Sequence, residues 1–152
     1  SKRPSTLSAM SETARATVFV ESSALVAAIA GQDPSAIREI RNGRRHVMSA
    51  LAIAESRRSL DRLERDHVLS ASAAARARRE LDVFIEQCDV IPVSRDILDR
   101  AASPFRVEPV RTLDAIHLAT MESLGELSTR LTVLTRDRRV AANARAAGYE
   151  VR

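Results

Sequence analysis

The chain has 152 residues, 45% of them hydrophobic and 29% charged, with a net charge of +4 and a sequence pI near 10.4. That length and balance describe one globular domain with a sizeable core. The single cysteine, Cys88, rules out an internal disulfide and a thiolate zinc cluster, and no apolar run is long enough for a bilayer, so a cytoplasmic protein that makes no membrane contact is expected.

Residues 1–16 are rich in Ser, Thr and charge without hydrophobic periodicity, and are expected to form a flexible extension to a folded domain at 17–152. Thr17 to Val20 reads as a buried strand. Glu21-Ser22-Ser23 then leads, with a serine as the cap, into an apolar helix from Ala24 to Ala30 that Gly31 stops. Asp33-Pro34-Ser35 opens a second helix that runs to about Arg41 and ends at Asn42-Gly43. His46-Val47-Met48 is a second strand, and Ser49 caps a long helix from Ala50 to about Asp66. The arginine-rich second half of that helix reads as a solvated face with i,i+4 pairs such as Asp61 with Arg65.

Ser70 to Gln87 has the pattern of an amphipathic helix, and Asp89 to Val93 that of a third strand, which Pro92 should end early or place at an edge. Ser94 to Ala102 predicts a short helix, Pro104 to Val110 a loop, and Arg111 to Thr120 a helix apolar on nearly every side. Leu131 to Thr135 reads as a strand, Asp137 to Ala147 as a helix stopped by Gly148, and Tyr149-Glu150-Val151 as a short edge strand. Such alternation implies an α/β fold, a three-layer α/β/α sandwich around a mainly parallel sheet.

Four acids stand out because their surroundings are apolar or lie where a strand ends: Glu21, Glu55, Asp114 and Asp137. A buried carboxylate is costly unless it is hydrogen-bonded, paired or bound to a metal. In parallel sheets the ligand crevice lies beyond the C-terminal strand ends. Glu21 and Asp137 fall there directly, Glu55 lies within two turns of the helix after the second strand, and Asp114 joins them if its preceding loop turns back to that edge. Carboxylates ~5 Å apart repel by about 3 kcal/mol per pair at an effective dielectric of ~20, so four together require a cation. Oxygen ligands alone favour Mg²⁺ or Mn²⁺ and suit phosphodiester hydrolysis. Arg111, Arg136, Arg138 and Arg139 stand close enough in sequence to hold phosphates.

Each residue also has a plainer reading. Asp137 can serve as a helix cap, Asp114 as an acid favoured by a helix N-terminus, and Glu55 as half of a core ion pair with an arginine. His117, three residues beyond Asp114, reads first as a satisfied core histidine and second as a ligand or proton shuttle. Cys88 reads as a small buried hydrophobe. The positive charge is almost wholly arginine, with Lys2 the sole lysine, and fits a nucleic-acid partner or a compositional bias of the genome equally well.

The succession of Glu21-Ser22-Ser23-Ala24-Leu25-Val26, Ser49 to Glu55, Arg111 to Thr120 and Leu134 to Arg139 resembles the PIN domain, specifically the VapC-type toxins of bacterial toxin-antitoxin pairs. The resemblance spans essentially everything after Ala16. It implies a Mg²⁺- or Mn²⁺-dependent endoribonuclease that acts on RNA, a homodimer, and a cognate antitoxin whose tail blocks the acidic cleft. Glu55, Asp114 and Asp137 then match the family's metal-site acids, and Ser23 and Thr135 match polar positions beside them. Glu21 departs from the usual aspartate by one methylene, which leaves a weakened, RNA- or partner-binding module as the alternative. A DNA-directed nuclease is disfavoured because the chain is short and lacks extra DNA-clamping elements.

Overall fold

The structure, a computed structural model, describes residues 17–42, 44–125 and 131–152. The expected extension at 1–16 and Gly43 of the second helix stop lie outside the described residues. Five strands form one sheet in the order β3-β2-β1-β4-β5, every neighbouring pair parallel. They are β1 (Val18–Val20), β2 (His46–Ser49), β3 (Asp89–Ile91), β4 (Thr132–Leu134) and β5 (Glu150–Val151). Seven helices among the described residues connect and flank them: α1 (Ser22–Ile29), α2 (Pro34–Ile40), α3 (Ala50–Arg65), α4 (Ala71–Gln87), α5 (Arg95–Ala101), α6 (Thr112–Ser123) and α7 (Arg138–Ala146).

The three-layer sandwich follows from the two-residue period of the strands, which sends alternate side chains to opposite faces. Val18, Val20, Met48 and Leu134 join one core with Leu25, Leu60, Leu81 and Phe84 from α1, α3 and α4. Phe19, Val47 and Val133 join the other with Leu118 and Met121 of α6 and Val140 of α7. Both faces of the central strands are thereby dry, which explains why β1 is apolar at each position. As expected from Pro92, β3 stops at Ile91 and lies at the sheet edge, with β5 at the other. Among the described residues no helix is long and apolar enough to cross a membrane.

Three local expectations need correction. The first helix starts at Ser22, two residues earlier than the apolar run suggests, because Glu21 rather than a serine caps it by accepting from Ser23 N. The central helix continues to Ser123, its buried stretch spanning Ala115 to Met121. The charges on α3 pair across to α4 rather than along the helix: Asp61 and Glu64 both take Arg78, and Arg57 takes Asp82.

Candidate metal centre

The chain runs from β1 outward through β2 to β3, then returns to β4 on the other side of β1. Strand order therefore reverses between β1 and β4, and the crevice beyond their C-terminal ends is where such a sheet binds ligands. Glu21 leaves β1 there, and Thr135 and Asp137 leave β4. The backbone ties the two exits together, Glu21 N donating to Leu134 O at 3.0 Å. Helix N-termini collect at the same edge, with Glu21 capping α1 and Asp137 capping α7, and their positive dipole ends favour negative charge.

Glu21 is 3% exposed and its carboxylate is enclosed by donors. Oε1 accepts from Ser22 Oγ at 2.7 Å and from Ser23 N at 3.1 Å. Oε2 accepts from Thr135 Oγ1 at 2.8 Å and from Ser23 Oγ. Four donors match the roughly four lone-pair positions of a carboxylate, so its burial is compensated without a charged partner. Ser23 and Thr135, expected beside the metal-site acids, donate here to Glu21. Each in turn accepts a backbone amide of the β4 exit, Arg136 N on Ser23 Oγ at 2.8 Å and Asp137 N on Thr135 Oγ1 at 3.0 Å.

Glu55 reaches the cluster from the second turn of α3. Its Oε1 accepts from Ser22 Oγ at 3.1 Å and is hydrogen-bonded to His117 Nε2. The partner of Glu55 is thus a histidine and not one of the arginines its plainer reading invoked. His117 is wholly buried, its Nε2 also lies 3.9 Å from Glu21 Oε1, and its Nδ1 has no hydrogen-bond partner. A satisfied core histidine would use both nitrogens, so that first reading of His117 describes its burial but not its bonding. Ser22, which bridges both glutamates with a single hydroxyl, carries no sequence signal beyond its place after Glu21.

Asp114 stands in the first turn of α6, one turn before His117, half-buried. Burial raises its pKa above the ordinary aspartate value, and the charges of Asp137 and Glu21 raise it further against the weaker opposing pull of His117 and Arg111. Those repulsions place Asp114 within electrostatic reach of acids from β1 and β4. Asp137 does cap its helix, Oδ1 accepting from Arg139 N at 2.8 Å and Val140 N at 3.0 Å. Of the expected phosphate-holding arginines, Arg111 and Arg138 are exposed, whereas the Arg136 guanidinium is taken up by Asp33, Ser35 Oγ and Thr135 O.

The PIN domain family profile matches residues 18–146. The chain belongs to the PIN domain family. PIN domains are generally nucleases and typically metal-dependent, and in this PIN domain Glu21, Glu55 and His117 form a cluster whose ligand atoms could hold a metal ion. The crystal structure of PAE2754 from Pyrobaculum aerophilum is similar at TM-score 0.57 and 22% identity, over 90% of this chain and 84% of that one, a likeness of fold. No curated protein matches the chain.

The residues fit a divalent cation. Ser22 has one hydroxyl hydrogen to share between two carboxylate oxygens, and Asp114 is crowded by Asp137 and Glu21. The repulsion that raises the pKa of Asp114 is one that a bound cation would remove.

Proposed function

We propose that this PIN domain is a Mg²⁺- or Mn²⁺-dependent endoribonuclease of the VapC toxin type, held in check by a cognate antitoxin and acting as a homodimer in the cytoplasm. The observation that carries the nuclease reading is the convergence of Glu21, Glu55, Asp114 and Asp137 on the switch point, with the proton affinity of Asp114 raised by its neighbours. A divalent ion held there supplies a Lewis acid for a phosphate oxygen and lowers the pKa of a bound water. The chain's own side chains set the rest. Glu21 is buried, Glu55, Asp114 and Asp137 are partly exposed, and the exposed Arg111 and Arg138 that neighbour the last two in sequence attract the RNA backbone. The toxin role, the antitoxin and the dimer rest on the four sequence segments that resemble VapC-type proteins. The net charge of +4 is compatible with a nucleic-acid substrate.

The test is cleavage of structured RNA with Mg²⁺ or Mn²⁺ by this chain and by Asp114→Asn. Loss of a ligand that acts in the transition state should lower the rate by a hundredfold or more, on the order of other electrostatic catalytic groups. Equal cleavage by both proteins defeats the reading.

One observation favours the weakened, RNA- or partner-binding module. Both oxygens of Glu21 already accept from protein donors, so its carboxylate reaches a cation by giving some of them up. Replacing Glu21→Asp decides between the two, since an inert protein that becomes a nuclease on that change is a binding form as it stands.

A further inference from the structure

We propose that Arg58, Arg62 and Arg65 form a track along α3 that holds the RNA backbone beside the cleavage site and sets substrate affinity without reading sequence. The inference deepens the RNA-nuclease reading above and rests on it.

The helical period places the track. At about 100° per residue, Arg58, Arg62 and Arg65 stand within about 80° of Glu55 around the axis of α3, all to the same side of it, whereas Arg57, Asp61 and Glu64 lie about 120° or more away. That second group is spent on α4: Arg57 pairs with Asp82, and Asp61 and Glu64 both take Arg78. Because Arg78 holds Asp61, Arg65 lacks the i,i+4 acid that its own helix offers. With the described residues Arg58, Arg62 and Arg65 make no side-chain hydrogen bond or ion pair, and all three are exposed. Asp66 follows on their face, but it gives its backbone N–H to Arg62 O and forms no ion pair with a described residue. Packing has thus sorted the charges of α3: the face that carries Glu55 to Ser22 and His117 keeps three unpaired cations, and the face toward α4 keeps none.

The chemistry of the stripe fits a phosphate backbone. It begins about one turn beyond Glu55 and extends to about 15 Å from it along the helix, long enough for several consecutive phosphates. Free guanidinium groups bind phosphate oxygens through paired N–H donors. From Ala50 to Arg65 the helix has no aromatic side chain on which a base could stack. Contacts to phosphate alone position a strand and carry no sequence information. Because such contacts act equally on the bound substrate and on the transition state, their loss raises KM and leaves kcat unchanged.

The experiment compares the whole chain with two triple variants. One combines Arg58→Ala, Arg62→Ala and Arg65→Ala; the other, matched in charge, combines Arg76→Ala, Arg79→Ala and Arg145→Ala, exposed arginines of α4 and α7. Binding of labelled RNAs of different sequence is followed in chelator by fluorescence anisotropy across salt concentrations, and cleavage of the same RNAs with Mn²⁺ gives kcat and KM. The α3 variant should lose about two from the salt slope, since each phosphate contact on a single strand contributes ~0.7, and should raise KM severalfold for every RNA at unchanged kcat. The charge-matched variant should keep the natural slope and KM. An α3 variant that binds and cleaves like the natural chain, or equal losses in the charge-matched variant, overturns the track and leaves the nuclease reading standing. If the natural chain binds RNA without cleaving it, the nuclease reading falls and the salt slope alone decides the track; if it does neither, both fall.

Discussion

Asn143 of α7 and Val107 of the loop before α6 are joined by two opposed hydrogen bonds, Val107 N to Asn143 Oδ1 at 2.9 Å and Asn143 Nδ2 to Val107 O at 2.8 Å. A buried side-chain amide thus pairs with an exposed loop as a neighbouring strand would. Glu108 tightens the same loop, its carboxylate accepting from Phe105 N at 2.8 Å and Val110 N at 2.7 Å. This is how the chain returns from α5 to the switch-point edge and delivers Asp114 and His117 on α6.

Replacing Asn143→Ala should cost about 1–3 kcal/mol, the penalty of losing a buried paired amide and leaving its partners to water. For a domain of this size that is a fall of roughly 3–10 °C in Tm. If the loop also aims α6, RNA cleavage should drop by more than the loss of folded protein explains. Thermal unfolding and cleavage rates normalised to folded protein check this, and a variant as stable and active as the original would show that the loop needs no such tether.

The sequence shows the layers because hydrophobic period is local. Val18-Phe19-Val20 and Thr132-Val133-Leu134 announce two-sided burial within three residues each, and Ser49, Ser70 and Asp33 mark helix starts that the structure keeps. Switch-point acids are legible for the same reason, since a residue just after a strand must sit at its C-terminal end. The Asn143–Val107 tether and the bridge from Ser22 to Glu55 are not legible, because each joins residues more than 30 positions apart with no period to betray it. The role of His117 was half visible: its spacing from Asp114 puts both on one face of α6, but which nitrogen meets Glu55 depends on how α3 packs against α6.

Asp114 makes the metal-free protein's stability fall as pH rises. Its folded pKa lies above the ordinary aspartate value near 3.8, raised first by burial and then by Asp137 and Glu21. The folded state therefore holds its proton more tightly than the unfolded state does. The resulting stabilisation is complete below the unfolded value and is lost as pH climbs through the folded one. In chelator, Asp114→Asn should be the more stable protein at pH 7, and its advantage should shrink toward pH 4. A divalent ion should reverse the order. At a hundred times its Kd an ion adds about 2.7 kcal/mol to the natural chain, and it should add less to Asp114→Asn. Thermal unfolding across pH 4–8, with and without Mn²⁺, reads both effects, and parallel curves for the two proteins would dissociate Asp114 from the acid cluster.

Arg136 looks by sequence position like a phosphate-binding residue, yet the fold commits it elsewhere. Its guanidinium bonds Asp33, the N-cap of α2, and Ser35 in that helix's first turn, so it fastens α2 to the exit of β4. That hydrogen bond is the largest cause holding the Asp33 carboxyl down at about 2, with the Ala36 amide next. The contribution of Asp33 to stability is accordingly present above its unfolded value near 3.8 and fades as pH falls toward 2. Replacing Arg136→Ala should move the Asp33 titration, followed by carbon NMR of its carboxyl, upward toward 3.8 without reaching it, since the Ala36 and Ser35 amides remain. RNA binding separates the two roles of an arginine. Arg111→Ala should weaken binding and reduce its salt slope by about one, as expected for each lost phosphate contact. Because Asp33 already occupies its guanidinium, Arg136→Ala should leave that slope nearly unchanged, and an equal loss in both variants would mean that RNA pulls Arg136 away from Asp33.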